Sequence, residues 1–151
     1  MNMKTALILG LTVGLCSCCP LKGRQTSHSQ AGLAGANGIT LAYERFGSAK
    51  NEAILLIAGT NGQLTAWPAS LCEYLARRGY QVIRFDNRDM GLSTKLLQAG
   101  LPDWAAIGLD LQANRAPPIP YTLDDMADDA AGLLDALSID KAHVVGASMG
   151  E

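Results

Sequence analysis

The residues best placed to do chemistry stand at the end of the chain, in His143-Val144-Val145-Gly146-Ala147-Ser148-Met149-Gly150-Glu151. A serine with glycine two residues away on either side, directly after a short apolar run, is the pattern of a nucleophile on a sharp strand-to-helix turn. Gly146 and Gly150 are required because backbone segments meet there too closely for a Cβ, and because the serine itself is strained. The strain lifts Ser148 Oγ to the carboxyl edge of the sheet, where open α/β sheets bind their ligands. Attack on an acyl carbon would create an oxyanion, which needs two backbone N–H donors. One comes from the residue after the nucleophile, Met149, and the other from an earlier loop. Gly59-Thr60-Asn61-Gly62-Gln63 is that loop, with Thr60 as donor, or Gly62 if the loop register shifts. The plain alternative for either stretch is a glycine-rich turn with no chemical role.

A serine alcohol also needs a base, since with its high pKa it stays protonated and attacks poorly. The order expected for such a site is serine, acid, histidine, yet only Glu151 follows Ser148. The two histidines are His28 and His143. His28 lies in a stretch of mixed small and polar residues and reads as solvated. His143 precedes Ser148 by five residues, which is roughly 16 Å of extended strand, too far to take its proton. Residues 1–151 therefore hold no base for Ser148, and the site is expected to be half built.

The elements that must carry these residues alternate between strand and helix signals. Ile39–Phe46 puts Ile39, Leu41 and Tyr43 on one face and Thr40 and Glu44 on the other, a half-buried strand. Ala53–Ala58 is apolar throughout, as in a strand covered on both faces. Ser70–Arg78 is expected to form an amphipathic helix with Leu71, Tyr74 and Leu75 inward, closed by Gly79. Gln81–Asp86 is the next strand. A long polar and proline-rich stretch follows, through Ala116-Pro117-Pro118-Ile119-Pro120. Thr122 then caps a helix with Asp124 and Asp125 in its first turn, where the helix dipole favours them. Met126, Ala130, Leu133, Leu134 and Leu137 form its apolar stripe, and Ala142–Gly146 is a buried strand. Strands joined by helices give right-handed crossovers, so the class is α/β, a mostly parallel sheet flanked by helices.

Composition narrows the function classes. At 151 residues, 48% hydrophobic and 17% charged, the chain can build one domain with a core. A net charge of -2 and the lack of any basic run argue against nucleic-acid binding. No motif calls for a cofactor or a metal.

The first residues have a different task. Lys4 precedes an apolar run, Ala6–Leu15, which resembles a secretory signal and is too short to span a bilayer. In Leu15-Cys16-Ser17-Cys18-Cys19 the pattern matches a bacterial lipoprotein processing site, with Cys18 the lipidated residue. It departs from that pattern in having Cys16 where a small residue is usual. A disulfide pair and a metal cluster are the other uses of these cysteines, although no second Cys/His pair follows to complete a zinc site. Leu21–Gly38, rich in Gly, Ser, Ala and Gln, reads as a flexible tether. The expected organisation is thus a signal with its processing site at 1–18, a tether at 19–37 and a folded part at 38–151. That predicts an exported protein of the bacterial cell envelope, held at a membrane by a lipid.

Arg84-Phe85-Asp86-Asn87-Arg88-Asp89-Met90-Gly91-Leu92-Ser93, the Tyr121–Gly150 segment and the tryptophan after the Gly59 turn together resemble the N-terminal half of α/β-hydrolase-fold proteins. The style is similar to the esterase branch that includes aclacinomycin methylesterase-like proteins. The resemblance runs from about Gly38 to Gly150. It implies a Ser-His-Asp hydrolase acting on a small-molecule ester or related carbonyl compound, cut just after the nucleophile turn. Ser148 would be the nucleophile, and Thr60 and Met149 the oxyanion donors. It further implies that Asp86, Arg88 and Asp89 are structural, tying adjacent turns together. Glu151 departs from the family, which has a small residue there. Strand Ala142–Gly146 would form an apolar edge. Haloperoxidases, C–C hydrolases and peptidases share these motifs, and a non-catalytic binding protein built on half the fold is the reading from another class.

Overall fold

The computed structural model describes residues 29–150, and its first element lies inside the stretch expected to be a tether. Strand β1 (Gln30–Ala36) turns at Asn37-Gly38 and pairs antiparallel along its whole length with β2 (Ile39–Phe46). Both turn residues have positive φ, 46° and 78°, as the tight two-residue hairpin turn demands and as Asn-Gly supplies at least cost. The tether assignment is therefore corrected for Gln30–Ala36. Its small residues serve packing, since Ala34 and Ala36 are buried and Gly132 of a covering helix sits against Ala36.

The remaining elements follow the expected alternation. Strand β3 (Glu52–Ile57) leads to helix α1 (Ala69–Arg77), then β4 (Tyr80–Phe85), helix α2 (Trp104–Gln112), helix α3 (Leu123–Ala136) and β5 (Ala142–Gly146). The sheet order is β1-β2-β4-β3-β5. Its parallel part is β4-β3-β5, while β2 joins β4 antiparallel. Gly79 closes α1 with φ 94°, as its position after the helix predicts. Thr122 and Asp125 form a reciprocal cap at the start of α3.

Two apolar clusters cover the two faces. Leu41, Leu55, Ile83 and Phe85 meet Ala130 and Leu133 of α3 on one face. Phe46, Ile54, Leu56 and Val82 meet Cys72 of α1 on the other. Each large side chain buried there contributes roughly 1.5–3 kcal/mol. Strand β5 is the apolar edge expected from the resemblance, not the covered strand that its hydrophobic pattern suggests. It is the outermost strand of the sheet among the described residues, and Val144 and Val145 are 59% and 43% exposed. Helix α2 rises from the stretch described above only as polar and proline-rich, and it buries none of its residues.

Candidate active site

The parallel strands β3, β4 and β5 end on one edge, and the residues singled out for chemistry gather there. Strand β5 carries the chain to Gly146, which stands opposite Ile57 at the end of β3. The N–H of Ala147 then donates to the Ile57 carbonyl at 3.2 Å, and the Gly150 N–H closes back onto the Ala147 carbonyl at 3.1 Å. Between them Ser148 is held at φ 57°, a left-handed conformation that a serine adopts only when its surroundings impose it. The imposing contact is close packing. A Cβ on Gly150 would stand 2.7 Å from the Ile57 carbonyl oxygen, so only glycine fits. Ser148 itself is exposed at the sheet edge.

The turn after β3 lies directly against this elbow. A Cβ on Gly59 would meet the Ala147 carbonyl oxygen at 2.8 Å and stand 3.5 Å from Ser148 Oγ. Thr60 Oγ1 donates to Met149 Sδ at 3.5 Å, so side chains of the two expected donor residues touch across the gap. The turn is closed by the Gly62 N–H donating to the Gly59 carbonyl at 2.9 Å. Ser148, Met149, Gly146, Gly150 and Thr60 are thus brought together. Gly59, expected only as part of the donor loop, is the residue of that loop that packs against the elbow. Its signal was its place, immediately after a buried strand.

His143 stands elsewhere. It is at the start of β5, opposite Ile54, with Nε2 3.7 Å from Glu52 Oε2 and its ring edge-on to Tyr80. The intervening strand separates it from Ser148. Cys72, buried against the sheet, is withheld from chemistry as well, because burial pushes its thiol pKa up. Cys18 lies outside the described residues.

The charged exit of β4 has the geometry of a fastening. Buried Asp86 accepts from the backbone N–H of Leu64 at 2.7 Å and of Leu92 at 2.8 Å. Arg88 grips buried Asp129 of α3 with two nitrogens, each at 2.7 Å, and this partner raises the guanidinium pKa. Asp89 accepts from the Leu96 N–H, and Lys95 donates to its carbonyl at 2.7 Å. Tyr121, over whose ring Arg88 lies, has its pKa raised by burial and by nearby Asp89. Among the described residues no cluster of three or more His, Cys, Asp or Glu could hold a metal, and no helix is long and apolar enough to cross a membrane.

A strained serine on a strand exit, packed against the turn of a neighbouring parallel strand, defines the class as α/β hydrolase. Residues 52–150 match the α/β hydrolase fold family, and the chain belongs to it. Among its relatives, a rhodomycin D methylesterase of a Streptomyces species is 38% identical over 112 residues, covering 74% of this chain and 32% of that protein. The enol-lactonase of Burkholderia xenovorans superposes with a TM-score of 0.58 at 27% identity, covering 79% of this chain and 38% of that one. Epoxide hydrolase A of Mycobacterium thermoresistibile shares the fold, with a TM-score of 0.59 at 22% identity over 80% of this chain and 32% of that one. The chain spans about a third of the length of the curated relatives it matches.

Proposed function

We propose that these residues carry the nucleophile and the oxyanion donors of a serine hydrolase acting on a small-molecule ester. The carrying observation is Ser148 at φ 57° with the Gly59 turn against it. In this reading Ser148 Oγ bonds to the acyl carbon and the carbonyl electrons move onto oxygen. The N–H groups of Met149 and Thr60 receive that charge, and the alkoxide departs as the C–O bond breaks. The serine proton passes to a histidine oriented by an acid; His143, at the other end of β5, is not placed to be that histidine. Water then releases the acid product. Methylesterase and enol-lactonase relatives support an ester as the bond cleaved.

The test uses the product of the complete reading frame with a nitrophenyl ester and a fluorophosphonate label. Ser148→Ala is expected to remove both turnover and labelling, with a fall in kcat on the order of 10⁶ if the triad acts as a unit. Turnover that survives the substitution refutes the serine reading. Residues 19–151 alone are expected to give no Ser148-dependent turnover, because His143 is at the wrong end of β5. A non-catalytic binding role would be supported if the complete product also lacked turnover and labelling.

The lipid anchor belongs to the same proposal. The Leu15-Cys16-Ser17-Cys18 pattern supports export and lipidation at Cys18. Radioactive palmitate should label the protein in cells and fail to label Cys18→Ala.

A further inference from the structure

We infer that Asn87 is a positioning residue for the oxyanion turn, acting with Asp86 from the exit of β4. This rests on the serine-hydrolase reading above. The turn between β3 and α1 carries glycine at 59 and 62 because neighbours come too close for any side chain: a Cβ at 62 would stand 2.7 Å from that of Ala58. Glycine also frees the backbone, so the peptide unit that offers the Thr60 N–H has little intrinsic preference of its own. A donor that must face a transient charge has to be fixed before the charge arrives, or its reorganisation adds to the barrier.

Two neighbouring side chains supply that fixation. Asn87, 4% exposed, donates from Nδ2 to the carbonyl of Ala58 at 3.0 Å, at the point where β3 gives way to the turn. Asp86, 2% exposed, accepts from the Leu64 N–H at 2.7 Å, where the turn ends. The segment from Gly59 to Gln63 is therefore pinned at both ends by consecutive residues of one strand exit. That exit is held in turn: the Asp86 carboxylate also accepts from Leu92, and the Gly91 position leaves no room for a side chain beside it. Asn87 additionally lines a cleft of about 280 Å³ with Ile57, Met149 and Gly150, so it stands beside both the turn and the elbow. Asn87 thus bonds to the start of one donor-bearing segment and borders the cleft beside the other, while reacting with nothing.

The experiment compares Asn87→Ala and the near-isosteric Asn87→Asp with the wild-type product of the complete reading frame. Three quantities are read: kcat per fluorophosphonate-labelled site, KM, and affinity for an aryl boronic acid, which mimics the tetrahedral oxyanion. Displacing one donor by a fraction of its bond length should lower kcat per labelled site about tenfold to a hundredfold, below the roughly 10²–10³ for losing a donor outright. KM should stay within about twofold, and boronate affinity should fall by the same factor as kcat/KM. An unchanged kcat per labelled site, with only fewer labelled sites or a lower Tm, would overturn the proposal. Failure of both variants to fold would also overturn it, by assigning Asn87 to the fold alone. A wild-type protein that is not labelled at Ser148 refutes the hydrolase reading before any Asn87 variant is measured.

Discussion

Two loops leave the same sheet edge and are built in opposite ways. The turn after β3, Gly59–Gln63, is pinned at both ends by buried side chains and abuts the elbow. The excursion after β4 is pinned only at its neck, where Asp89 holds Leu96 and Arg88 lies over Tyr121. Beyond that neck, Leu97, Leu101 and Trp104 are 84%, 96% and 76% exposed. Local bonds alone shape its helix: Asp103 caps α2 by accepting from Ala105 and Ala106, and Arg115 pairs with Asp110. The difference separates two demands on a binding edge. In the proposed reading the turn offers a donor for a transient charge, which must be fixed in advance, whereas the exposed apolar side chains of the excursion meet no fixed neighbour among the described residues.

The largest loss is expected at the neck. Arg88→Ala would leave the Asp129 carboxylate, 1% exposed, without its guanidinium. An uncompensated buried charge costs about 3–5 kcal/mol, so urea denaturation should show a loss of that size. The same substitution frees the Tyr121 end of the excursion. A loss below about 1 kcal/mol would mean that the neck is not a fixed point, and the contrast between the loops would fail.

A smaller effect is expected one step along the chain, where the excursion re-enters the fold. Thr122→Ala removes the hydroxyl that accepts from the Asp125 N–H at 3.3 Å. Losing such a cap costs about 1 kcal/mol, readable as a lower Tm. The effect should depend on pH with a defined sign. Hydrogen bonds from the Thr122 N–H and hydroxyl lower the Asp125 pKa. A carboxylate with a depressed folded-state pKa stabilises above its unfolded value, near 3.9, and loses that contribution as pH falls through the folded value. The gap between wild type and Thr122→Ala should therefore narrow in acid.

What the sequence made legible was local. The tight turn at Ser148 could be read because its steric demand is local: Gly150 has no room for a Cβ beside Ile57, and Ser148 is held at positive φ. The Thr122 cap and the Gly79 stop were legible for the same reason. Contacts between distant residues were not. Nothing in the string marks Asp129 as the partner of Arg88, 41 positions away, or Asn87 as the support of Ala58. Hydrophobic pattern marked Ala142–Gly146 as covered, but coverage depends on neighbours that pattern cannot show. Strand β1 was obscured because its glycines and alanines look like linker, although Asn37-Gly38 between two runs is a strong hairpin signal. Helix α2 was hidden by the prolines that follow it, despite Asp103 standing at a cap position.

The smallest effect is expected on α2. Leu109 is 64% exposed on α2, in a helix none of whose residues is buried. If stability were set by apolar content, Leu109→Gln would cost what a core leucine costs, about 2–5 kcal/mol on truncation. If it is set by area removed from water, almost nothing is lost, because little of this side chain has left water. Glutamine and leucine also have nearly equal helix propensity, so the local term is close to zero. Urea denaturation of Leu109→Gln should therefore lie within about 0.5 kcal/mol of wild type. Leu55→Ala, at a residue 1% exposed, should lose several times as much in the same buffer. Equal losses at the two positions would show that α2 is buried against something in solution, and the excursion would then count as fixed structure like the turn after β3.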